Sequence, residues 1–163
     1  MKVMVAVVPA SAELWSRPLV VVTQGTQDVK PAHLIQPALS GLARLEVDVI
    51  ATSGRPGRTD VGIAPPANAQ IVDLIDFGLV LTKAAVLVTN GGWGGVLASL
   101  AAGVPLVIAA GGAPDKPVIA ARVARAVAGI DLRTARPKAD AVADAVRELL
   151  ANPSYAERPA DRG

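Results

Sequence analysis

The sequence contains no cysteine, which excludes a disulfide framework, a thiolate nucleophile and any cysteine-based metal site. It has a single histidine, so imidazole chemistry rests on one position, His33. Aromatic residues make up only 2%, so the core must be built from Ala, Val, Leu and Ile. Charge is sparse as well. Charged residues account for 18% and the net charge is +2, with no Lys/Arg cluster, which excludes a nucleic-acid footprint despite a pI near 9.3. What is abundant is aliphatic: 52% of the residues are hydrophobic, which rules out intrinsic disorder. A chain of 163 residues suits one domain of ordinary size. This composition is compatible with a reducing cytoplasm, and a cytoplasmic location is the expectation.

Two apolar stretches could be mistaken for targeting or membrane segments. Met1 to Val8 is too short for a signal peptide and is broken by Pro9, Glu13 and Arg17 without a small-residue cleavage site, so it reads as a buried strand. Ala84 to Pro114 carries no charge and is long enough to span a bilayer, which takes about 20 apolar residues. Glycine pairs at 91–92, 94–95 and 111–112 and the turn Gly103-Val104-Pro105 break it into strand, glycine loop, helix, turn and strand. No membrane span is expected.

Short β-rich runs recur at Leu19 to Thr23, Val47 to Ala51, Ala69 to Val72, Ala85 to Val88, Leu106 to Ile108 and Ile130 to Leu132. Most are continuously apolar, as parallel strands covered on both faces are. Helical patterns lie between most of them. The first has Leu34, Ile35, Ala38, Leu39 and Leu42 on one face, with Pro37 predicting a kink or a late start. The second runs from about Val96 to Ala102. The third starts near Pro117, with Ile119, Val123, Ala126 and Val127 inward. The fourth has Val142, Val146, Leu149 and Leu150 inward and stops at Asn152-Pro153. A shorter helical piece is expected over Gly78 to Lys83. Strands alternating with helices predict an α/β fold with a mainly parallel sheet. No internal repeat is visible, and residues 53–68 form the longest irregular segment.

In an open parallel sheet, ligands bind outside the carboxyl ends of the strands, where the strand order reverses. Three strand-following loops stand out: Gln24-Gly25-Thr26-Gln27-Asp28, Thr89 to Gly95, and Ala110 to Lys116. The middle one has four glycines in five positions followed by a helix, a pattern that brings a phosphate close to free N–H groups and to the positive end of the helix dipole. No G-K-[ST] follows, so it is not a P-loop, and Leu97 stands where the last glycine of G-x-G-x-x-G belongs. Asn90 suits either a ligand contact or a local Asx turn. Thr26 suits a ligand contact or a contact within its own loop. Trp93 is expected in the core, Asp115 as a helix cap or an acceptor for ligand hydroxyls, and Lys116 as a phosphate partner or in solvent. His33 is expected at the surface or a helix end rather than as a base.

Four segments in this order resemble a known family: Val20-Val21-Val22-Thr23-Gln24-Gly25-Thr26, Val88 to Val96, Leu100 to Leu106, and Asp115-Lys116-Pro117. They resemble the donor-binding C-terminal domain of GT-B nucleotide-sugar-dependent glycosyltransferases of the bacterial natural-product type. The resemblance runs from about Pro18 to Tyr155. It implies a Rossmann-like doubly wound parallel sheet, one half of a GT-B fold. Residues 1–18 would be an N-terminal strand and linker, 19–155 the donor domain and 156–163 a polar tail. It also implies roles. Thr26 would lie near the donor phosphates. Asn90 stands where many members have a histidine on the diphosphate. Gly92, Gly94 and Gly95 would offer backbone N–H groups. Asp115 and Lys116 would hold sugar hydroxyls, and Leu74 and Ile75 would meet the base through main-chain groups. Gly25, Gly91 and Trp93 complete the donor-binding set. The sequence departs from the family pattern at Asn90, at Gly95 where a hydroxyl residue is usual, at Ala98 in place of a ribose-binding acid, and at Lys116 in place of glutamine.

The implied activity is transfer of a hexosyl group from a UDP- or dTDP-type sugar, with no other cofactor, no metal and no catalytic residue in this chain. The family's acceptor-binding domain and its histidine base are not recognisable here. A fragment, a truncated product and one subunit of a split enzyme all stay open, as does a non-catalytic nucleotide-sugar-binding or regulatory module. A different α/β nucleotide enzyme, such as an epimerase or dehydrogenase, is a third reading. The partners expected are the nucleotide sugar and an acceptor-domain subunit or a second copy of the chain, because the apolar strand Met1 to Val8 needs a sheet edge or another chain to cover it.

Overall fold

The computed structural model describes residues 15–25, 27, 28, 30–111 and 113–156. The expected strand over Met1 to Val8, Thr26 and most of the polar tail lie outside them. Six parallel strands form one sheet: β1 (Leu19–Thr23), β2 (Asp48–Thr52), β3 (Ala69–Val72), β4 (Ala84–Thr89), β5 (Leu106–Ile108) and β6 (Gly129–Asp131). The spatial order is β3-β2-β1-β4-β5-β6. The chain builds outward from β1 in one direction, then returns to the other side of β1 and builds outward again. The order therefore reverses between β1 and β4, whose registers run from Val20 opposite Val86 to Thr23 opposite Thr89.

Along each central strand the side chains alternate between two apolar clusters. Val20, Val22, Val49, Ala51, Val86, Val88 and Val107 face one, and Leu19, Val21, Ile50, Leu87, Leu106 and Ile108 face the other. Helices α1 (Ile35–Leu42) and α5 (Ala139–Ala151) cover the first face. The short α2 (Phe77–Val80), α3 (Trp93–Ala102) and α4 (Lys116–Arg125) cover the second. Right-handed crossovers dictate this split, because connections running in opposite directions from β1 cross opposite faces. Both faces are dry, which explains continuous apolar strands. Each large aliphatic side chain sealed this way contributes about 1.5–3 kcal/mol.

Several elements differ from the sequence pattern. Pro37 neither kinks nor delays α1. It is the third helical residue, where its missing N–H costs no intrahelical bond, and Ala38 N–H reaches Leu34 O at 2.9 Å across it. Helix α4 stops at Arg125, so Ala126 and Val127 do not face inward, and Val127 is 45% exposed with φ +55°. Leu150 is 36% exposed rather than buried, because α5 presents Val142, Val146 and Leu149 to the sheet. Helix α3 begins three residues earlier than expected, at Trp93, which moves Gly94 and Gly95 into its first turn.

Candidate functional site

The reversal point is built by one three-residue device used repeatedly. Thr23 ends β1 and Thr89 ends β4. Each hydroxyl accepts the N–H of the glycine two residues on, Gly25 at 3.0 Å and Gly91 at 3.3 Å. Both glycines have positive φ, +71° and +91°, which turns the chain sharply off the sheet. Thr52-Ser53-Gly54 does the same after β2, with Gly54 N–H on Thr52 Oγ1 at 3.1 Å and φ +70°. The Thr-x-Gly signature recurs in the sequence at three strand ends, a local repeat that a search for domain-sized repeats passes over.

The middle residue of each switch-point turn is a buried amide, and the two are joined. Asn90 Nδ2 donates to Gln24 O at 2.5 Å, a bond between loops 66 residues apart. Asn90 is thus a cross-link between loops and not a local Asx turn. Gln24 is 1% exposed and works as a remote helix cap. Its Oε1 accepts from Leu34 N–H at 3.1 Å and Ile35 N–H at 2.8 Å, and its Nε2 donates to Lys30 O at 2.9 Å. Helix α1 has no capping side chain of its own. Sequence reasoning missed Gln24, whose role depends on partners several residues downstream.

The start of α3 lies beside this cross-link. Its N-cap is Gly92, which has no side chain to cap with, and the first N–H to find a carbonyl partner is that of Val96, on Gly92 O at 3.1 Å. The N–H groups of Trp93, Gly94 and Gly95 have no acceptor among the described residues. Gly94 and Gly95 line a cavity of about 320 Å³ together with Gly25, Asn90, Gly92, Lys116 and Phe77. A Cβ placed on Gly94 would meet nothing within 4 Å. Free N–H donors and the positive end of a helix dipole are the features that attract an anion.

A second cavity of about 580 Å³ adjoins the first and shares Gln27, Gly92 and Lys116 with it. Gly91, Trp93 and Asp115 line it, along with Asp28, His33 and Arg136. Trp93, the first residue of α3, is half exposed and lines this cavity rather than packing in the core. Asp115 precedes α4, but its carboxylate makes no cap bond, which leaves it facing the cavity as an acceptor. His33 stands at a helix end, just before the Leu34 N-cap of α1, and is partly buried: Nδ1 lies 2.9 Å from Asp28 Oδ2, and the two side chains are 22% and 31% exposed. Burial pushes the Asp28 carboxyl up, but the His33 hydrogen bond, the Lys30 N–H and the charges of His33 and Lys116 outweigh it and hold it below its ordinary value of 3.8.

Leu74 and Ile75 line neither cavity. Leu74 N–H is held by Asp73 Oδ1 at 2.8 Å, and Ile75 packs on the apolar cluster beneath α2 and α3. Phe77, two residues later, is the part of this segment that reaches the first cavity. Among the described residues, no group of three or more His, Asp or Glu is placed to hold a metal ion, and no helix is long and apolar enough to cross a membrane.

Residues 36–161 match the family described as erythromycin biosynthesis protein CIII-like, C-terminal domain. The chain belongs to this family. The chain is 40% identical over 149 residues to UDP-glucosyltransferase B1 of Starmerella bombicola, covering 89% of this chain and 34% of that protein. Among solved structures it resembles the calicheamicin glycosyltransferase CalG4, with 29% identity, a TM-score of 0.76, and coverage of 88% of this chain and 37% of that one. It also resembles glycosyltransferase VinC in complex with dTDP, with 26% identity, a TM-score of 0.73, and coverage of 86% and 35%. The chain thus spans about a third of the length of these relatives. The architecture of this CIII-like domain, six parallel strands between two helical layers, is that of a GT-B C-terminal domain.

Proposed function

We propose that this domain binds the nucleoside diphosphate of a sugar donor, of UDP or dTDP type, for transfer of a hexosyl group to a small-molecule acceptor. The observation that carries the reading is the uncapped first turn of α3, whose Gly94 and Gly95 line a cavity at the strand-order reversal. Two phosphates carry the charge that this end of the helix attracts, and Lys116 lies between the two cavities to add a cation. Two relatives, a UDP-glucosyltransferase and a glycosyltransferase in complex with dTDP, support the same ligand class. In the transfer reaction a base takes the proton of an acceptor hydroxyl, the oxygen attacks the anomeric carbon, and the bond to the diphosphate breaks. The α3 donors are placed to stabilise charge developing on the departing diphosphate. None of the described residues is assigned as that base.

Gly94→Leu tests the reading. Its Cβ enters open space, so the fold is kept while the side chain fills the phosphate position. Calorimetry with UDP and dTDP should show binding by the parent chain and at least a tenfold loss in the variant. Equal affinity in both proteins refutes the assignment.

A further inference from the structure

The larger cavity is chemically unlike the smaller one. It is lined by two carboxylates, Asp28 and Asp115, as well as His33, Lys116, Arg136 and the exposed ring of Trp93. The two acids and the two cations offset each other in charge, the acids accept hydrogen bonds from hydroxyls, and an exposed indole offers a flat apolar surface to the C–H face of a ring. An uncharged polyhydroxylated group fits this lining. Resting on the donor-site reading above, this cavity holds the glycosyl group while the α3 turn holds the phosphates.

Within it, Asp28 and His33 form a prepared pair. Asp28 divides its two oxygens: Oδ1 accepts the Lys30 N–H at 3.1 Å and Oδ2 faces His33 Nδ1 at 2.9 Å. A carboxylate only accepts, so it fixes the proton on Nδ1 and orients the ring. His33 Nε2 has no partner among the described residues. We propose that His33 Nε2 hydrogen-bonds a hydroxyl of the donor's glycosyl group, with Asp28 as the positioning residue, and that this pair determines donor-sugar specificity. A hydroxyl both donates and accepts, so neutral and protonated imidazole can each make the contact. A phosphate would be met only by the cation.

The test compares UDP with UDP-glucose, and dTDP with dTDP-glucose, by calorimetry on the full chain. His33→Ala should lower affinity for the sugar-bearing ligand about tenfold, the size of one hydrogen bond. Affinity for the bare diphosphate should stay within twofold. His33→Gln, which keeps a polar group at that reach, should recover part of the loss. Asp28→Asn should weaken the sugar nucleotide and spare the diphosphate. Equal losses for both ligands would assign His33 to the phosphate and overturn the proposal. So would no loss for either, or a parent chain that binds a nucleoside diphosphate and gains nothing from the sugar. A parent chain that binds none of the four ligands refutes the donor-site reading itself, and this proposal with it.

Discussion

Gln24 shows what one buried side chain carries. It caps α1, ties down the Lys30 carbonyl and, through its own carbonyl, receives Asn90 from the neighbouring loop. Gln24→Ala strands two buried N–H groups, and a stranded buried donor costs about 1–3 kcal/mol. Urea unfolding should show a loss in that range, and Gln24→Glu, which keeps the accepting oxygens, should recover part of it. A loss below about 0.5 kcal/mol would mean that water replaces the amide. The glycine turn at 91–95 was legible in the sequence because the lack of a Cβ is a local property. The roles of Gln24 and Asn90 were not, since each is defined by a partner that only the fold brings near. The pairing of Asp28 with His33 was likewise not legible, since the sequence placed His33 only at the surface or a helix end.

At the scale of the element, two helices end in the same way with different residues. After α3, Gly103 takes φ +72°, its N–H bonds Leu100 O at 3.2 Å, and Val104 N–H reaches Ser99 O at 2.9 Å. After α4, Val127 takes φ +55°, with Val127 N–H on Ala124 O at 3.0 Å and Ala128 N–H on Val123 O at 3.0 Å. This is the double bond pattern of a left-handed helix end, which glycine fits and a β-branched side chain resists. Val127 is 45% exposed, so it buries little in return. Val127→Gly should therefore stabilise the domain by about 0.5–1 kcal/mol, and Gly103→Val should destabilise it by about 1–2 kcal/mol. Thermal unfolding of the two variants checks both signs. The valine also explains the misplaced end of α4: an apolar residue at helical spacing reads as one more inward position, and nothing local marks it as a stop.

Across the whole molecule, carboxylates stitch the loops to the sheet, and acid should undo them. Asp73 accepts the N–H groups of Gly57 at 2.9 Å and Leu74 at 2.8 Å, which lower its pKa, and Asp28 is lowered by the balance described above. A group depressed in the folded state stabilises fully above its unfolded value, here 3.8, and loses that contribution as pH falls through the lower folded value. The melting temperature should change little on this account between pH 7 and 5 and fall below about pH 4. Asp73→Asn should flatten that fall. An unchanged acid slope in the variant would remove Asp73 from the account. By itself, the sequence determined the class of fold, the strands and the glycine loop, because apolar runs, helical spacing and missing side chains act over a few residues. Only the tertiary structure decided which strand ends meet, and so which side chains share a cavity. With the order reversing between β1 and β4, residues 23–25 and 89–91 become neighbours, and the buried Asn90 amide donates to the Gln24 carbonyl that the reversal puts beside it.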